Sequence, residues 1–152
     1  MSDVTRGWML VGLQGLLFLA VAVAAVVPGP TLWKSLWLSL SLVVVGAAGV
    51  IWAARDLGSS LTPLPIPNGV GLAAAGVYHW VRHPMYSALV VICLGVAIGS
   101  GKAWSYVAVA ALAVFFEIKT RMEEKFLLRE YEGYAAYAAQ TGKFLPGIAR
   151  RN

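Results

Sequence analysis

Charge is what this chain has least of. Of its 152 residues, 12% are charged and 59% hydrophobic, and the mean hydropathy is +0.73. A soluble domain carries about 25% charged residues. With so little polar surface the chain has no means of covering itself in water, which marks it as an integral membrane protein. Cysteine is rarer still: Cys93 stands alone inside an apolar run, so there is no disulfide framework. Histidine occurs only as His79 and His83, and aspartate only as Asp3 and Asp56. No Ser/His/Asp arrangement stands out, and no Cys/His cluster has metal-ligand spacing, so no metal is expected. His79 and His83 have helical spacing, but Pro84 argues against one continuous helix through both. The net charge of +5 is basic enough to raise nucleic acid as a partner. In a membrane chain such an excess faces anionic headgroups instead.

What is there in quantity is apolar sequence. A first span is expected over roughly 8–27, "WMLVGLQGLLFLAVAVAAVV", closed by Pro28-Gly29-Pro30. About 20 residues suit a hydrocarbon core some 30 Å thick. The Ala22-Val23-Ala24 stretch resembles a signal-peptide cleavage site, but the run is long for a signal core and another span follows closely. A second span is expected over 36–54. The segment 55–76 is broken by proline and glycine and reads as a structured loop. Its "GVG" follows no strand and opens no recognisable helix, so it is weak as a nucleotide loop. Apolar runs at 85–98 and 103–116, joined by Gly99-Ser100-Gly101-Lys102, predict a helical hairpin. From Glu117 the pattern stays helical to about Ala139, with Gly133 a soft spot, and a non-helical tail follows.

Four spans put both termini and the 55–76 loop on one side. Arg6, Arg55, Arg82, Lys119, Arg121, Lys125, Arg129, Lys143, Arg150 and Arg151 fall there, against Lys34 and Lys102 on the other. By the positive-inside rule that side is cytoplasmic.

Two polar clusters open onto this face. The first is "GVYHWVRHPMY", residues 76–86, at the doorway of the third span. Pro84 sits where a helix begins, which makes His83 its cap and turns the helix's positive end towards the cytoplasm. With Arg82 alongside, that end suits a carboxylate or phosphate; the plainer reading is an interfacial belt in which Arg82 touches lipid phosphate. The second cluster lies beyond the hairpin. On a helical wheel Glu123 and Glu124 fall on the same face as Phe116, Thr120, Leu127, Tyr131, Tyr134 and Ala138. The opposite stripe holds Arg121, Lys125, Arg129 and Glu132. Carboxylates facing a bundle interior need a partner. That partner is Arg82, His83 or a cationic ligand. The first two would make a structural latch, the third a binding site.

Gly76, Tyr78, Arg82, His83, Pro84 and Tyr86, followed after a hairpin by Glu123, Glu124, Leu127, Tyr131, Tyr134 and Tyr137 and by "KFLP" at 143–146, together resemble a known pattern. It is that of the isoprenylcysteine carboxyl methyltransferase and phospholipid methyltransferase superfamily of integral membrane enzymes. The resemblance covers 76–148, about half the chain. It implies one membrane methyltransferase-like domain over 1–152: an all-α integral membrane protein with about four transmembrane helices and a cytoplasmic C-terminal helix packing over the cofactor site. It implies S-adenosylmethionine as cofactor, with Tyr78, His83, Tyr86, Glu123 and Glu124 as its contacts. Arg82, His83 and Glu123 are the expected catalytic residues, and Tyr134 and Lys143 the expected contacts for a lipophilic acceptor. The cofactor's ammonium would take Glu124 or, equally, Glu123. The acceptor is left open among an isoprenylcysteine carboxylate, a phospholipid amine and a small lipid. Three positions depart from the pattern: Glu132 and Ala88 stand where the family often has Gly, and Lys143 where it often has Arg. The lysine keeps the charge but loses the bidentate fork.

Two rival readings remain beside it. One is an NADPH-dependent membrane reductase of the sterol-reductase type, for which the inward Glu123 and Glu124 are the wrong charge. The other is a non-enzymatic membrane protein whose Glu–Arg pairs are latches. The compact chain, with no ER-retrieval tail, favours a bacterial inner membrane.

Overall fold

Hydrocarbon offers no hydrogen bonds to the backbone, so an apolar run crossing it must satisfy its own amides as a helix. The computed structural model describes residues 2–66 and 69–149. Its elements are α1 (Asp3–Val26), α2 (Leu36–Leu57), α3 (Pro84–Ser100), α4 (Ala103–Glu130) and α5 (Tyr134–Gln140), with short 3-10 turns at Gly58–Ser60 and Gly76–His79. No β-strand occurs among the described residues; two isolated bridges, Thr31 with Lys102 and Val81 with Gly142, tie loops together. The protein is an all-α integral membrane protein. Helices α1, α2 (with its 3-10 extension) and α4 are long and apolar enough to cross a membrane, and α3 is a shorter apolar helix.

Helix ends are set by capping chemistry, and so they lie beyond the apolar runs. Ser2 caps α1 by accepting from the Thr5 amide, which moves the start of that helix well ahead of residue 8. Ser35 does the same for α2 through the Leu38 amide. Pro84 occupies the first turn of α3 with His83 as its N-cap, although the His83 side chain makes no capping bond. At the other end Gly101 takes the left-handed conformation (φ 68°) and bonds back to Ala97, which closes the hairpin turn. The fourth apolar run ends at Phe116, yet α4 is unbroken over its 28 residues from Ala103 to Glu130. Continuity from Glu117 to Ala139, however, fails. Tyr131 is extended (φ −122°, ψ 111°), and a separate helix starts after Gly133. Arg150 and Arg151, part of the charge asymmetry, lie outside the described residues.

The core is small: Val21, Cys93, Ala97, Val109, Leu112, Phe115 and Phe116 pack together, so Cys93 is a packing residue. Helix α2 joins this core through α3, and small residues set how closely the two approach. A Cβ on Gly46 would meet the Ala88 carbonyl oxygen at 2.8 Å, and one on Gly95 would meet Ser39 O at 3.0 Å and Val43 Cγ2 at 2.9 Å. Such close approach is how membrane helices gain contact where water supplies no drive. The outer faces of α1 and α2 stay apolar and bare, with Leu16, Leu19, Trp37, Val44, Val45 and Trp52 exposed, as a lipid-facing surface requires.

The bundle has two dissimilar ends. At one, the Leu32 amide bonds Gly101 O (2.8 Å), the Ala103 amide bonds Pro30 O (2.9 Å) and Tyr106 donates to Trp33 O (2.7 Å), so both connecting turns are tied together. At the other end the long segment after α2, the entrance to α3, the last third of α4 and α5 converge. Gly7 of α1 lies there too, close under Leu64 and Pro65.

Gly95→Ala is expected to lower stability in detergent by about 1–3 kcal/mol, since the methyl has only backbone and a β-branched side chain to displace. Gly12, with nothing near it, is the control: Gly12→Ala should stay within about 0.5 kcal/mol. Thermal unfolding of the two variants side by side checks this; equal transitions would contradict the close α2–α3 approach.

Candidate active site

The site is built outward from Arg82. Its side chain is 2% exposed, and a guanidinium so deep must find acceptors for its donors. Nε donates to Glu124 Oε1 (2.9 Å), Nη1 to Ala138 O (2.8 Å) and to Thr141 O, and Nη2 to Ala149 O (3.1 Å). The backbone repeats the tie, because the Arg82 amide bonds Gly142 O (2.8 Å) and the His83 amide bonds Lys143 O (3.0 Å). The entrance of α3 is thereby stitched to α4, to the end of α5 and to the segment that follows.

His83 lies between the two glutamates. Its Nε2 is 3.2 Å from Glu124 Oε1 and its Nδ1 is 3.6 Å from Glu123 Oε2. Glu123 also accepts from the Tyr86 hydroxyl at 2.6 Å, and Tyr86 in turn stacks on Phe116 at 4.5 Å between ring centroids. The two adjacent glutamates therefore have different surroundings. Glu124 faces Arg82 and His83, whereas Glu123 faces Tyr86, His83 and a cleft.

That cleft encloses a volume of about 160 Å³ and is open at its mouth. Tyr78, Arg82, His83, Met85 and Tyr86 line it from the α3 entrance, Glu123 and Leu127 from α4, and Tyr131, Tyr134 and Tyr137 from the α4–α5 corner. Residues from 57–66 and 71–73 supply a mostly apolar wall that includes Leu57, Leu61, Leu64, Pro65 and Leu72. Among the lining groups is a polar orphan. Tyr134 is 1% exposed, and its hydroxyl has no hydrogen-bond partner among the described residues. Buried hydroxyls without partners are rare and call for a ligand or water.

Of the residues expected from the sequence, Tyr78, Arg82, His83, Tyr86, Glu123 and Tyr134 come together around this cleft. Glu124 stands behind them, against Arg82. Lys143 does not line the cleft: its ammonium is held by Glu117 Oε2 at 2.7 Å. Several contributors leave no mark in the sequence pattern. The apolar wall comes from a loop whose composition signals only that it is not a helix. Asp56 accepts from the Val77 amide at 2.7 Å and lies so tightly against Gly76 (φ 59°) that no Cβ fits, which fixes the turn that presents Tyr78. Lys119, counted above as one more cytoplasmic charge, is 1% exposed inside the bundle.

The helical membrane bundle thus carries a polar cleft at one end, where paired glutamates face an Arg-His-Pro helix entrance. The sequence profile of the phospholipid methyltransferase family matches residues 34–133, more than half of the chain. The chain belongs to that family, within the isoprenylcysteine carboxyl methyltransferase and phospholipid methyltransferase superfamily. It is also similar to the nickel-cobalt-cadmium resistance protein NccN of Alcaligenes xylosoxydans xylosoxydans, with 28% identity over 138 residues, 86% of this chain and 62% of that protein. The cobalt-zinc-cadmium resistance protein CzcN of Cupriavidus metallidurans is 29% identical over 129 residues, 83% of this chain and 59% of its own. An uncharacterized protein of Schizosaccharomyces pombe is 32% identical over 86 residues, 53% of this chain and 25% of that one. The chain thus spans about three fifths of the two resistance proteins. Among the described residues no group of three or more His, Cys, Asp or Glu side chains is placed to hold a metal ion.

The tyrosines of the site are donors and walls, not bases. Burial, opposed by Arg82 and reinforced by Glu124, pushes the Tyr137 phenol from 10.0 up to about 12. Burial raises Tyr78 and Tyr134 as well, helped in Tyr78 by Tyr137 and Asp56 and in Tyr134 by Glu124. An unfolded chain releases these protons near pH 10, before the folded one does. Stability contributed by the neutral phenols is therefore complete below about pH 10 and is lost as pH rises towards 12. Thermal unfolding in detergent should show this alkaline decline. Tyr137→Phe should flatten its share of the slope while lowering the neutral-pH transition slightly, through loss of the 2.6 Å bond from its hydroxyl to Tyr78 O. An unchanged slope in that variant would contradict the assignment.

Proposed function

We propose that this chain transfers a methyl group from S-adenosylmethionine to a lipophilic acceptor at the cytoplasmic face of a membrane. Family membership supports the reaction class. The observation that carries the cofactor reading is the cleft lined by Glu123 and by Tyr134, whose buried hydroxyl has no hydrogen-bond partner among the described residues.

The lining fits such a cofactor. Glu123 is the acidic group for an α-ammonium, Tyr134 offers a free hydroxyl to a polar atom, and Tyr78, Tyr131 and Tyr137 supply aromatic walls for a purine. When bound, the cofactor supplies an activated methyl group on a sulfonium. The chain's part is to align, to exclude water and to manage a proton. The loop wall of Leu61, Leu64 and Leu72 keeps the cleft apolar on one side, which suits a lipophilic acceptor. A carboxylate or thiolate acceptor needs no base. An amine or hydroxyl does, and Glu123 or His83, both lining the cleft, is the group to take that proton. Arg82 then acts by holding the frame, since its guanidinium is occupied by Glu124 and three carbonyls.

That occupation also weighs against the reductase reading. Arg82 is the lining residue a 2′-phosphate would need, and its donors are directed elsewhere. The latch reading has one observation in its favour, the buried Arg82–Glu124 pair, but it leaves Glu123 and Tyr134 facing a cleft. For orientation, Arg6, Arg55, Arg82, Lys119, Arg121, Lys125, Arg129 and Lys143 all belong to the end that carries the cleft, while Lys34 and Lys102 belong to the other. The positive-inside rule makes the cleft end cytoplasmic, with a bacterial inner membrane as the proposed setting.

Calorimetric titration of the detergent-purified chain with S-adenosylhomocysteine, against NADPH, tests this. Saturable binding of the homocysteine nucleoside alone is expected. Glu123→Gln should fold and lose roughly ten- to hundred-fold in affinity, as removal of a charge-assisted contact does. Glu124→Gln should instead lose about 3–5 kcal/mol of stability, because it strands the buried Arg82. Binding of NADPH alone, or of neither ligand to folded protein, would sink the reading.

A further inference from the structure

Lys119 is the least explained charge in the molecule. It lies on α4, one helical turn before Glu123, yet only 1% of it is exposed. Solvated lysines reach outward, but this one is turned inward and fully engaged. Its Nζ donates to Gln14 Oε1 of α1 at 2.7 Å and to Pro63 O of the cleft's loop wall at 3.5 Å. It lies 5.1 Å from the centroid of the Tyr86 ring, over its face, and 3.9 Å from Glu123 Oε1. That oxygen is the one that receives the Tyr86 hydroxyl. The ammonium is thus packed behind the cleft, on the far side of the Tyr86–Glu123 bond, and is not itself among the lining residues.

We propose that Lys119 is a positioning residue. Its ammonium, packed behind the Tyr86–Glu123 bond, keeps the Glu123 carboxylate aimed into the cleft, and through Gln14 and Pro63 it locks that carboxylate to α1 and to the loop wall. The inference rests on the cofactor reading above and adds to it a residue that acts without touching ligand. Arg82 does for Glu124 what Lys119 does for Glu123, so each glutamate has its own cation. A buried carboxylate with no cation beside it takes up a proton or swings to another donor. Either change removes the negative group that an α-ammonium would seek. The loop wall would also lose a polar anchor at Pro63.

The test exploits two nucleosides that share adenosine and differ in the amino-acid portion. S-Adenosylhomocysteine carries the ammonium; 5′-methylthioadenosine does not. Lys119→Gln removes the charge but keeps a polar tip for Gln14 and Pro63, and Lys119→Met removes both. The variants are titrated with each ligand in detergent, with thermal unfolding to establish folding. Expected is a loss of roughly tenfold or more for S-adenosylhomocysteine in Lys119→Gln, with methylthioadenosine affinity changed by less than about threefold. Combining Lys119→Gln with Glu123→Gln should add little beyond Glu123→Gln alone, because one residue acts through the other. Equal losses for both nucleosides, unchanged binding of S-adenosylhomocysteine, or full additivity in the double variant would overturn the assignment. If the unaltered chain binds neither nucleoside, the cofactor reading falls and this inference with it. If Lys119→Met unfolds while Lys119→Gln keeps the selective loss, the proposal stands.

Discussion

The need to neutralise a buried guanidinium governs the polar end of this protein. Arg82 sits where the chain enters α3, and leaving its donors unmet in so dry a place would cost several kcal/mol. The solution gathers distant parts of the chain: a carboxylate from α4 and carbonyls from positions 138, 141 and 149. Because three of the four acceptors are backbone, the C-terminal segment must take a particular path to supply them. That path puts Gly142 beside Val81 and carries the 134–149 region back over the entrance of α3. The break at Tyr131–Gly133 belongs to the same arrangement, since a straight α4 would carry those carbonyls away from Arg82.

Much of this is legible in the sequence, and the limits of legibility have physical causes. Apolar runs announce the spans, and the Gly101 turn and Pro84 start are visible because special backbone conformations demand special residues. The inward direction of Glu123 and Glu124 follows from the wheel alone. The end of α4 does not follow from polarity, because a helix leaving the membrane has no reason to stop at its last apolar residue. The split between the two glutamates is equally hidden. It depends on which of them lies over Arg82, a distance between residues 42 apart in the chain. Lys119 is hidden more deeply. Its interior placement depends on Gln14 and Pro63, whose own positions are set by packing of α1 and the loop, and a lysine in a basic stretch looks like a solvated charge.

Adjacent glutamates on one helix point about 100° apart, since 3.6 residues make a turn. One residue pair can therefore serve two neighbours at once. Glu124 turns to the clamp and Glu123 to the cleft, with His83 in reach of both at 3.2 and 3.6 Å. Glu123, facing the cleft, is thus held by the same helix that Glu124 fixes. A shift of α4 that loosened the clamp would displace Glu123 with it, so the fold's integrity and the geometry of the cleft are mechanically one property.

The depth of this pair within the membrane completes the argument. Counting from Ala103 at 1.5 Å per residue, Glu123 stands about 30 Å along α4, the thickness of a hydrocarbon core. With Ala103 taken at the opposite edge of the apolar layer, the carboxylates lie where α4 leaves it. Deeper, their charge would be too costly to keep; farther out, no bilayer would border the cleft. On the proposed reading, a water-soluble nucleoside and a lipid-soluble acceptor have to meet, and this level is where both solvents reach. On that reading the Arg-His-Pro entrance, the two glutamates and the five tyrosines crowd one level of the bundle because only there can a charged ligand be held beside a hydrophobic one.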